Sequence, residues 1–293
     1  MGLDWALSMG GGVAMRSQLL EVLGRRGLDE AVANRKVIRQ YRGVYTAPEP
    51  GIAVRLKALD LFIGEKAVAC MFTAAALHGF DTERPEELHV YDLGRRLRPT
   101  PNLVVHQRDG APLSKLDGRL MSTAPWTAIE CARAIRRGRA LGVLDAVLRS
   151  RLCSVADLAR AADVQRGRRG IVRVRELLPL ADGRAESVME SESRLVMIDG
   201  GLPLPELQFE IFDRCGELWR VDFAWPDIRL AAEYDSIEWH GSREGMLRDK
   251  MRTARLQECG WTIVPITVED VRRDPIGLVA RIRHHLSVAR KAG

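Results

Sequence analysis

Two apolar, strand-forming runs near the C-terminus carry carboxylates, and this most limits how the chain can fold. The first, Leu218 to Trp225, contains Asp222. The second, Ile228 to Tyr234, contains Glu233 and leads into Asp235. Val221, Phe223, Leu230, Ala231 and Ala232 surround these acids with apolar side chains. Side chains alternate along a strand, so Glu233 and Asp235 share a face. A carboxylate on a buried surface is costly unless something compensates it. Two kinds of partner suit it here. One is a cation of the chain itself, with Arg220, Arg229 and Arg248 nearby in sequence. The other is a hard divalent metal ion that takes oxygen ligands.

The residues around those runs have a clear order. A helix begins after Ser187 and stops at Gly200-Gly201. Strands follow at Leu207 to Phe212, Leu218 to Trp225 and Ile228 to Tyr234. A polar helix runs from Arg243 to Glu258, then a strand from Trp261 to Ile266 and a helix from Pro275 to Arg290. This predicts a small mixed sheet flanked by helices. Ser187-Val188-Met189-Glu190 reads as a capping box, with Glu190 reaching back to an orphan N–H. Arg194, four residues on, is within helical pairing reach of Glu190.

The front of the chain has a different pattern. Ser17 to Leu23 has helical spacing and ends at Gly24 to Gly27. Leu28 to Asn34 reads as a second helix. Val37-Ile38 and Val44-Tyr45 flank a turn at Arg39 to Gly43. Helix, turn, helix and β-ribbon is the order of a winged helix, and Arg35, Lys36, Arg39 and Arg42 put positive charge where such a domain meets DNA. Pro48-Glu49-Pro50 reads as a linker. Beyond it, a small-residue helix is expected at Ala67 to His78 and strands at Leu88 to Tyr91 and Asn102 to His106. A helical stretch from Trp126 to Arg149 is broken near Gly138, and another helix starts at Ser154. The expected fold class is α+β multidomain: a winged helix over 1–50, a mixed α/β middle domain over 51–180, and a mixed sheet flanked by helices over 186–293.

Composition limits the partners. With 46% hydrophobic and 29% charged residues the chain has the content of a globular protein rather than a disordered one. A formal net charge of +6 favours a polyanionic partner, because Lys and Arg gain affinity by releasing phosphate counterions. Five scattered cysteines without CxxC spacing indicate neither a zinc ribbon nor a disulfide framework, so a reduced cytoplasm is the expected setting. The first residues lack a signal-peptide pattern, and no run approaches the roughly 18 apolar residues of a membrane span. His78, His89 and His106 read as core or strand residues. Arg133, Arg136, Arg137 and Arg139 read as a solvated basic face or a second phosphate-contacting surface.

Three motifs in order, Val221-Asp222-Phe223-Ala224-Trp225-Pro226, Leu230-Ala231-Ala232-Glu233-Tyr234-Asp235 and Trp239-His240-Gly241, carry a resemblance that continues through Arg248-Asp249 and Arg255 to Trp261. This third of the chain resembles the very-short-patch-repair-like branch of the PD-(D/E)XK nuclease superfamily, and a large bacterial group built on the same fold. The resemblance implies a restriction-endonuclease-like fold and a Mg²⁺- or Mn²⁺-dependent endonuclease acting on double-stranded DNA, with a link to DNA repair. It makes Asp222 the metal-binding aspartate and Glu233 the acid of the third motif. His240 becomes the histidine that moves a proton or orients water. Glu190, or less strongly Glu192, becomes the first-motif acid. One position departs from the pattern. The superfamily places Lys two residues after the third-motif acid, and this chain has Asp235 there. Either Asp235 joins Asp222 and Glu233 as a metal ligand while His240 or Lys250 replaces the lysine, or the site is degenerate.

A second resemblance covers the front. Arg16 to Pro48, with Arg42-Gly43-Val44-Tyr45, resembles the winged-helix N-domain of AbiEi-like antitoxins of type IV toxin–antitoxin systems. Thr73 to Gly79 and Ser122 to Thr127 resemble the segment that follows it in such proteins. This implies DNA binding through the winged helix and a toxin as partner. Two expectations follow: a metal-dependent DNA endonuclease positioned by its winged helix, or a non-catalytic, antitoxin-like autoregulator whose nuclease fold is a scaffold.

Overall fold

The computed structural model describes residues 2–80, 82, 87–92, 94, 96–107, 110–235 and 243–292, with backbone alone for 243–246, 249, 291 and 292. Its contacts divide the chain into two compact units, Met1–Glu130 and Cys131–Gly293. The architecture is mixed α+β, with several sheets.

The first unit begins with α1 (Leu3–Met9), β1 (Val13–Met15), α2 (Arg16–Ala33), β2 (Ile38–Tyr41) and β3 (Val44–Thr46). The two short helices expected at 17–34 are the two arms of α2. They meet at Gly24, whose φ of 67° and ψ of 176° break the helical path. Glycine reaches that conformation without the strain a Cβ would add. The strands form an antiparallel sheet in the order β1-β3-β2. Leu19, Leu28, Ala31, Val37 and Tyr45 join Ala6, Leu7 and Ala14 in its core. α1 and the three-residue β1 are additions to the expected pattern; so short a strand leaves little alternation to read.

Next come α3 (Ile52–Ile63), β4 (Val68–Ala69), α4 (Met71–Leu77), β5 (Leu88–Tyr91), β6 (Leu103–His106), β7 (Leu113–Leu116), β8 (Arg119–Ser122) and α5 (Ala124–Ala134). The five strands form a sheet ordered β6-β5-β4-β8-β7. The strands expected at Leu88 and Asn102 form. The helix expected from Ala67 starts only at Met71, because Val68 and Ala69 pair with β5 instead. The β7–β8 hairpin went unread, although Asp117-Gly118 (φ 48° and 75°) is a two-residue turn of the kind that closes such hairpins. Its Leu113, Leu116 and Leu120 are all exposed, and only Met121 and Ser122 at the end of β8 are buried, so no alternation of buried and exposed residues marks it as a pair of strands.

The second unit contains α6 (Arg137–Arg149), α7 (Val155–Val164), α8 (Ile171–Leu177), α9 (Val188–Asp199), β9 (Glu206–Phe212), β10 (Leu218–Trp225), β11 (Leu230–Tyr234), α10 (Arg243–Glu258), β12 (Thr262–Ile266), α11 (Val268–Arg272) and α12 (Pro275–Ala292). Nearly every element expected here forms within a residue or two. Ser154 caps α7 by accepting from the Asp157 N–H, and Ser187 caps α9 by accepting from the Glu190 N–H. The sheet order is β12-β11-β10-β9. β9, β10 and β11 are antiparallel neighbours, and β12 returns parallel to β11 after the α10 crossover. Met197 of α9 and Leu278 and Ile282 of α12 pack with Phe223 and Ala232 on one face. Leu256 of α10 and Trp261 pack with Ala224 and Ala231 on the other.

α6 and α9 are joined by buried charge. Arg194 donates to Asp145 Oδ2 at 2.7 Å and to the Leu180 carbonyl at 2.6 Å, and does not form the pair with Glu190 that helical spacing allows. Asp145 is fully buried, and burial pushes its carboxyl above the ordinary range while Arg194 pulls the other way. The basic face of α6 is also ion-paired rather than free. Arg136 and Arg139 meet Glu192 at 2.9 and 3.0 Å, and Arg137 meets Asp199.

Asp145→Ala leaves Arg194 buried without its counter-charge, so urea denaturation should show a loss of about 3–5 kcal/mol. Asp145→Leu with Arg194→Met should recover part of that loss; a single variant as stable as the wild type would overturn the account.

Candidate functional site

The register of β10 with β11 pairs Phe223 with Ala232 and so makes Asp222 and Glu233 cross-strand neighbours at the next step. α9 brings Glu190 to the same place. Gln208 of β9 connects them: its Nε2 donates to Glu190 Oε2 at 2.8 Å and to Asp222 Oδ1 at 3.4 Å. Gln208 has a φ of 52°, a left-handed conformation that is uncommon for a residue with a side chain. Asp222 Oδ2 accepts the Tyr234 N–H at 2.9 Å. Glu190 also accepts the Glu186 N–H at 2.8 Å, one residue before the Ser187 N-cap whose own N–H a full capping box would engage, so of the expected reciprocal pair only the Ser187 half forms.

Burial dominates the electrostatics of Asp222 and pushes its pKa up to about 7. The negative charge of Glu190 adds to this, the Tyr234 N–H opposes it, and Glu233 raises it further. Glu233 is held differently. Arg252 of α10 grips it through two guanidinium nitrogens, with Nη1 at 2.7 Å from Oε2 and Nη2 on Oε1, and Nη2 also donates to the Arg220 carbonyl at 2.7 Å. The chain cations proposed from sequence do other things. Arg220 pairs with Glu186 at 2.6 Å, Arg229 reaches the Cys259 carbonyl at 3.4 Å, and Arg248 is exposed. Arg252 lies one turn before Leu256, which is buried against the sheet, so the same helical stripe carries it over β11. That spacing was the available signal for Arg252; nothing in the sequence marked Gln208.

Asp235 sits just past β11, exposed, with its N–H donated to the Ile266 carbonyl at 2.8 Å. Lys250 is exposed on α10. His240 lies outside the described residues. Glu192 faces away from the acids, toward Arg136, Arg139 and Arg272. Among the described residues no group of three His, Cys, Asp or Glu side chains is arranged to hold a metal ion. The donors that do converge are the carboxylates of Glu190 and Asp222, hard oxygen ligands bridged by a neutral amide. They suit a divalent cation that keeps most of its waters.

In the first unit, Arg35, Lys36, Arg39 and Arg42 are all exposed, and among the described residues none has an ion-pair partner. Arg35 follows α2 with a φ of 53°, Arg39 lies on β2, and Arg42 is in the β2–β3 turn. The histidines of this unit hold structure. His89 Nδ1 and His106 Nε2 are 2.9 Å apart, and burial together with His106 lowers the His89 pKa to about 4. His78 Nε2 lies 2.9 Å from the Ser122 carbonyl.

Comparison with known proteins places the whole chain. It is 61% identical over 269 residues to two Mycobacterium tuberculosis proteins, Uncharacterized protein MT2308 and Uncharacterized protein Rv2248. The match covers 92% of this chain and 99% of each of theirs. The chain belongs to their family. Within this member of the family, residues 67–180 also match the family model described as the AbiEi antitoxin C-terminal domain. That match falls on the middle region whose Thr73 and Ser122 motifs resemble the antitoxins. It covers β4 through α8 and leaves the acidic site outside. No helix among the described residues is long and apolar enough to cross a membrane.

Asp222 makes stability depend on pH in this family member. An unfolded Asp titrates near ~3.9, and the folded value is higher, so the folded state binds the extra proton between the two values. Stability from this group is therefore present in acid and lost as pH rises from about 4 through 7. Asp222→Asn should remove that loss, raising the urea midpoint at pH 8 relative to wild type while changing it little at pH 4. Identical shifts at the two pH values would count against a perturbed Asp222.

Proposed function

We propose that the protein is a DNA-binding regulator of the toxin–antitoxin type. The match of residues 67–180 to the AbiEi antitoxin C-terminal domain carries this reading. The element order α1-β1-α2-β2-β3, with α2 bent at Gly24 and the sheet ordered β1-β3-β2, supports reading residues 1–50 as a winged helix. In that reading the 51–180 region follows it as the antitoxin-like domain and engages a toxin partner, and 186–293 is a nuclease-like domain packed on α6 through the Arg194–Asp145 pair. The wing supplies most of the charge for phosphate. The second arm of α2 exposes Asp29 and Glu30 as well as Arg25 and Arg26, and Arg26 is paired with Glu30 at 3.2 Å. Arg39 and Arg42 have no such competitor. Guanidinium groups of this kind hold phosphates in paired hydrogen bonds.

A second reading rests on the acids. The order helix, three antiparallel strands, helix and parallel strand, with Asp222 and Glu233 side by side and Glu190 close, supports a PD-(D/E)XK-like domain. A bound Mg²⁺ or Mn²⁺ supplies a Lewis acid and an activated water. Asp222 and Glu190 offer the ligands best disposed for it, with Glu233 and Asp235 as further candidates and His240 as the proton carrier. The grip of Arg252 on Glu233 sets a cation of the chain where a ligand role is expected. This favours the scaffold role over cleavage.

Arg39→Ala and Arg42→Ala should each weaken binding to duplex DNA of the protein's own promoter and lower the salt slope of log K by about one unit. Unchanged affinity in the double variant would remove the wing from the interface. Plasmid nicking with Mg²⁺ or Mn²⁺ that is present in the wild type and absent in Asp222→Ala would establish the endonuclease instead. Uncut plasmid in both leaves the regulator.

A further inference from the structure

A pocket of about 510 Å³ opens in the first unit between β2, α3 and the segment before β6. Leu59, Leu97 and Leu103 form its apolar floor. On one wall Tyr41 and Phe62 stack, with ring centroids 5.0 Å apart and planes within 12°. Phe62 is 49% exposed, so one face of its ring is open to a ligand. Arg39, Arg42, Arg96 and Arg98 stand at the rim. All four are exposed, and among the described residues none is ion-paired. Among the described residues no carboxylate lines the pocket, while Gln40 and Thr100 add neutral hydrogen-bonding groups.

This combination selects its ligand by chemistry. The volume is that of an ordinary small-molecule site. A purely apolar ligand would leave four guanidinium groups without an anion. A small inorganic anion would leave the leucine floor and the aromatic wall uncovered. A ligand that uses both has a flat ring to lie along an aromatic face and phosphate oxygens to take paired arginine N–H groups.

We propose that this pocket binds a nucleotide, with the base against the Tyr41–Phe62 wall and the leucine floor and the phosphates on the arginine rim. The same chemistry is offered by a free nucleotide and by one unstacked nucleotide of a single strand. The proposal does not rest on the DNA-binding reading. Phe62, Arg96 and Arg98 lie outside the residues that reading uses, and Arg39 and Arg42 are common to both.

The test is calorimetry on the full chain with ADP, adenosine and a short oligothymidylate. ADP should bind, adenosine should bind about tenfold more weakly for want of phosphates, and Phe62→Ala and the Arg96→Ala/Arg98→Ala double variant should each weaken ADP by about tenfold. Both variants change exposed side chains, so thermal melting should stay close to wild type and show that folding is not the cause. Oligothymidylate binding that needs Phe62 and Arg98, without ADP binding, identifies a strand as the source and keeps the pocket's chemistry. No binding of either probe at millimolar concentration, or binding indifferent to both variants, overturns the proposal. Duplex DNA binding should survive both variants, so its loss on Arg39→Ala/Arg42→Ala bears only on the wing.

Discussion

The second unit depends on the charges buried along one helix. α9 puts Glu190, Ser191, Glu192, Ser193 and Arg194 into the interior in consecutive positions, where an unpaired charge would cost several kcal/mol. Each has its own answer. Glu190 takes a backbone N–H and the Gln208 amide. Glu192 meets Arg136, Arg139 and Arg272. Arg194 takes Asp145 and the Leu180 carbonyl. The two serines satisfy themselves on carbonyls one turn back, at Ser187 and Met189. These partners come from α6, from the segment before α9, from β9 and from α11. The helix therefore fixes where four separate stretches of chain must lie.

The acidic site follows from that constraint. Glu190 is held at the sheet by the cap that starts α9, so it meets Asp222 whether or not a cation is present. The chain answers these acids with its own groups: a neutral amide shared between Glu190 and Asp222, and the Arg252 guanidinium, the one compensating charge, on Glu233. Asp222 retains the strain, and its raised pKa records it. Such a site is chemically poised, because a carboxyl near neutrality changes charge easily.

Two groups of arginines are treated in opposite ways. In the second unit, Arg136, Arg137, Arg139, Arg194, Arg252 and Arg272 all meet carboxylates. On the face expected to be solvated or phosphate-binding, Arg136, Arg137 and Arg139 meet carboxylates of α9, and Arg136 remains half exposed. In the first unit, the arginines of β2, its turn and the 96–98 segment stand free of carboxylates. Unpaired guanidinium groups around an apolar pocket keep their affinity for anions from outside, since no internal charge competes for them.

Much of the fold was legible in the residues. β10, α9, α10 and the kinked α2 appear where hydrophobic period, caps and glycines put them, because those signals are local. The start of α4 was misread, since Val68 and Ala69 are claimed by a neighbouring strand that no local pattern reveals. The β7–β8 hairpin shows no alternation to read, since its exposed leucines stand beside a buried Met121-Ser122 pair, despite its Asp117-Gly118 turn. At the site, the carboxylates were legible as costly residues in apolar runs, and the middle region as antitoxin-like. Which cation answers Glu233, which amide joins Glu190 to Asp222, and which arginines stay free were settled by the tertiary structure alone. Periodicity fixes the face a side chain points from. The partner it reaches depends on how distant segments cross, and one helical turn separates Arg248 in solvent from Arg252 on Glu233.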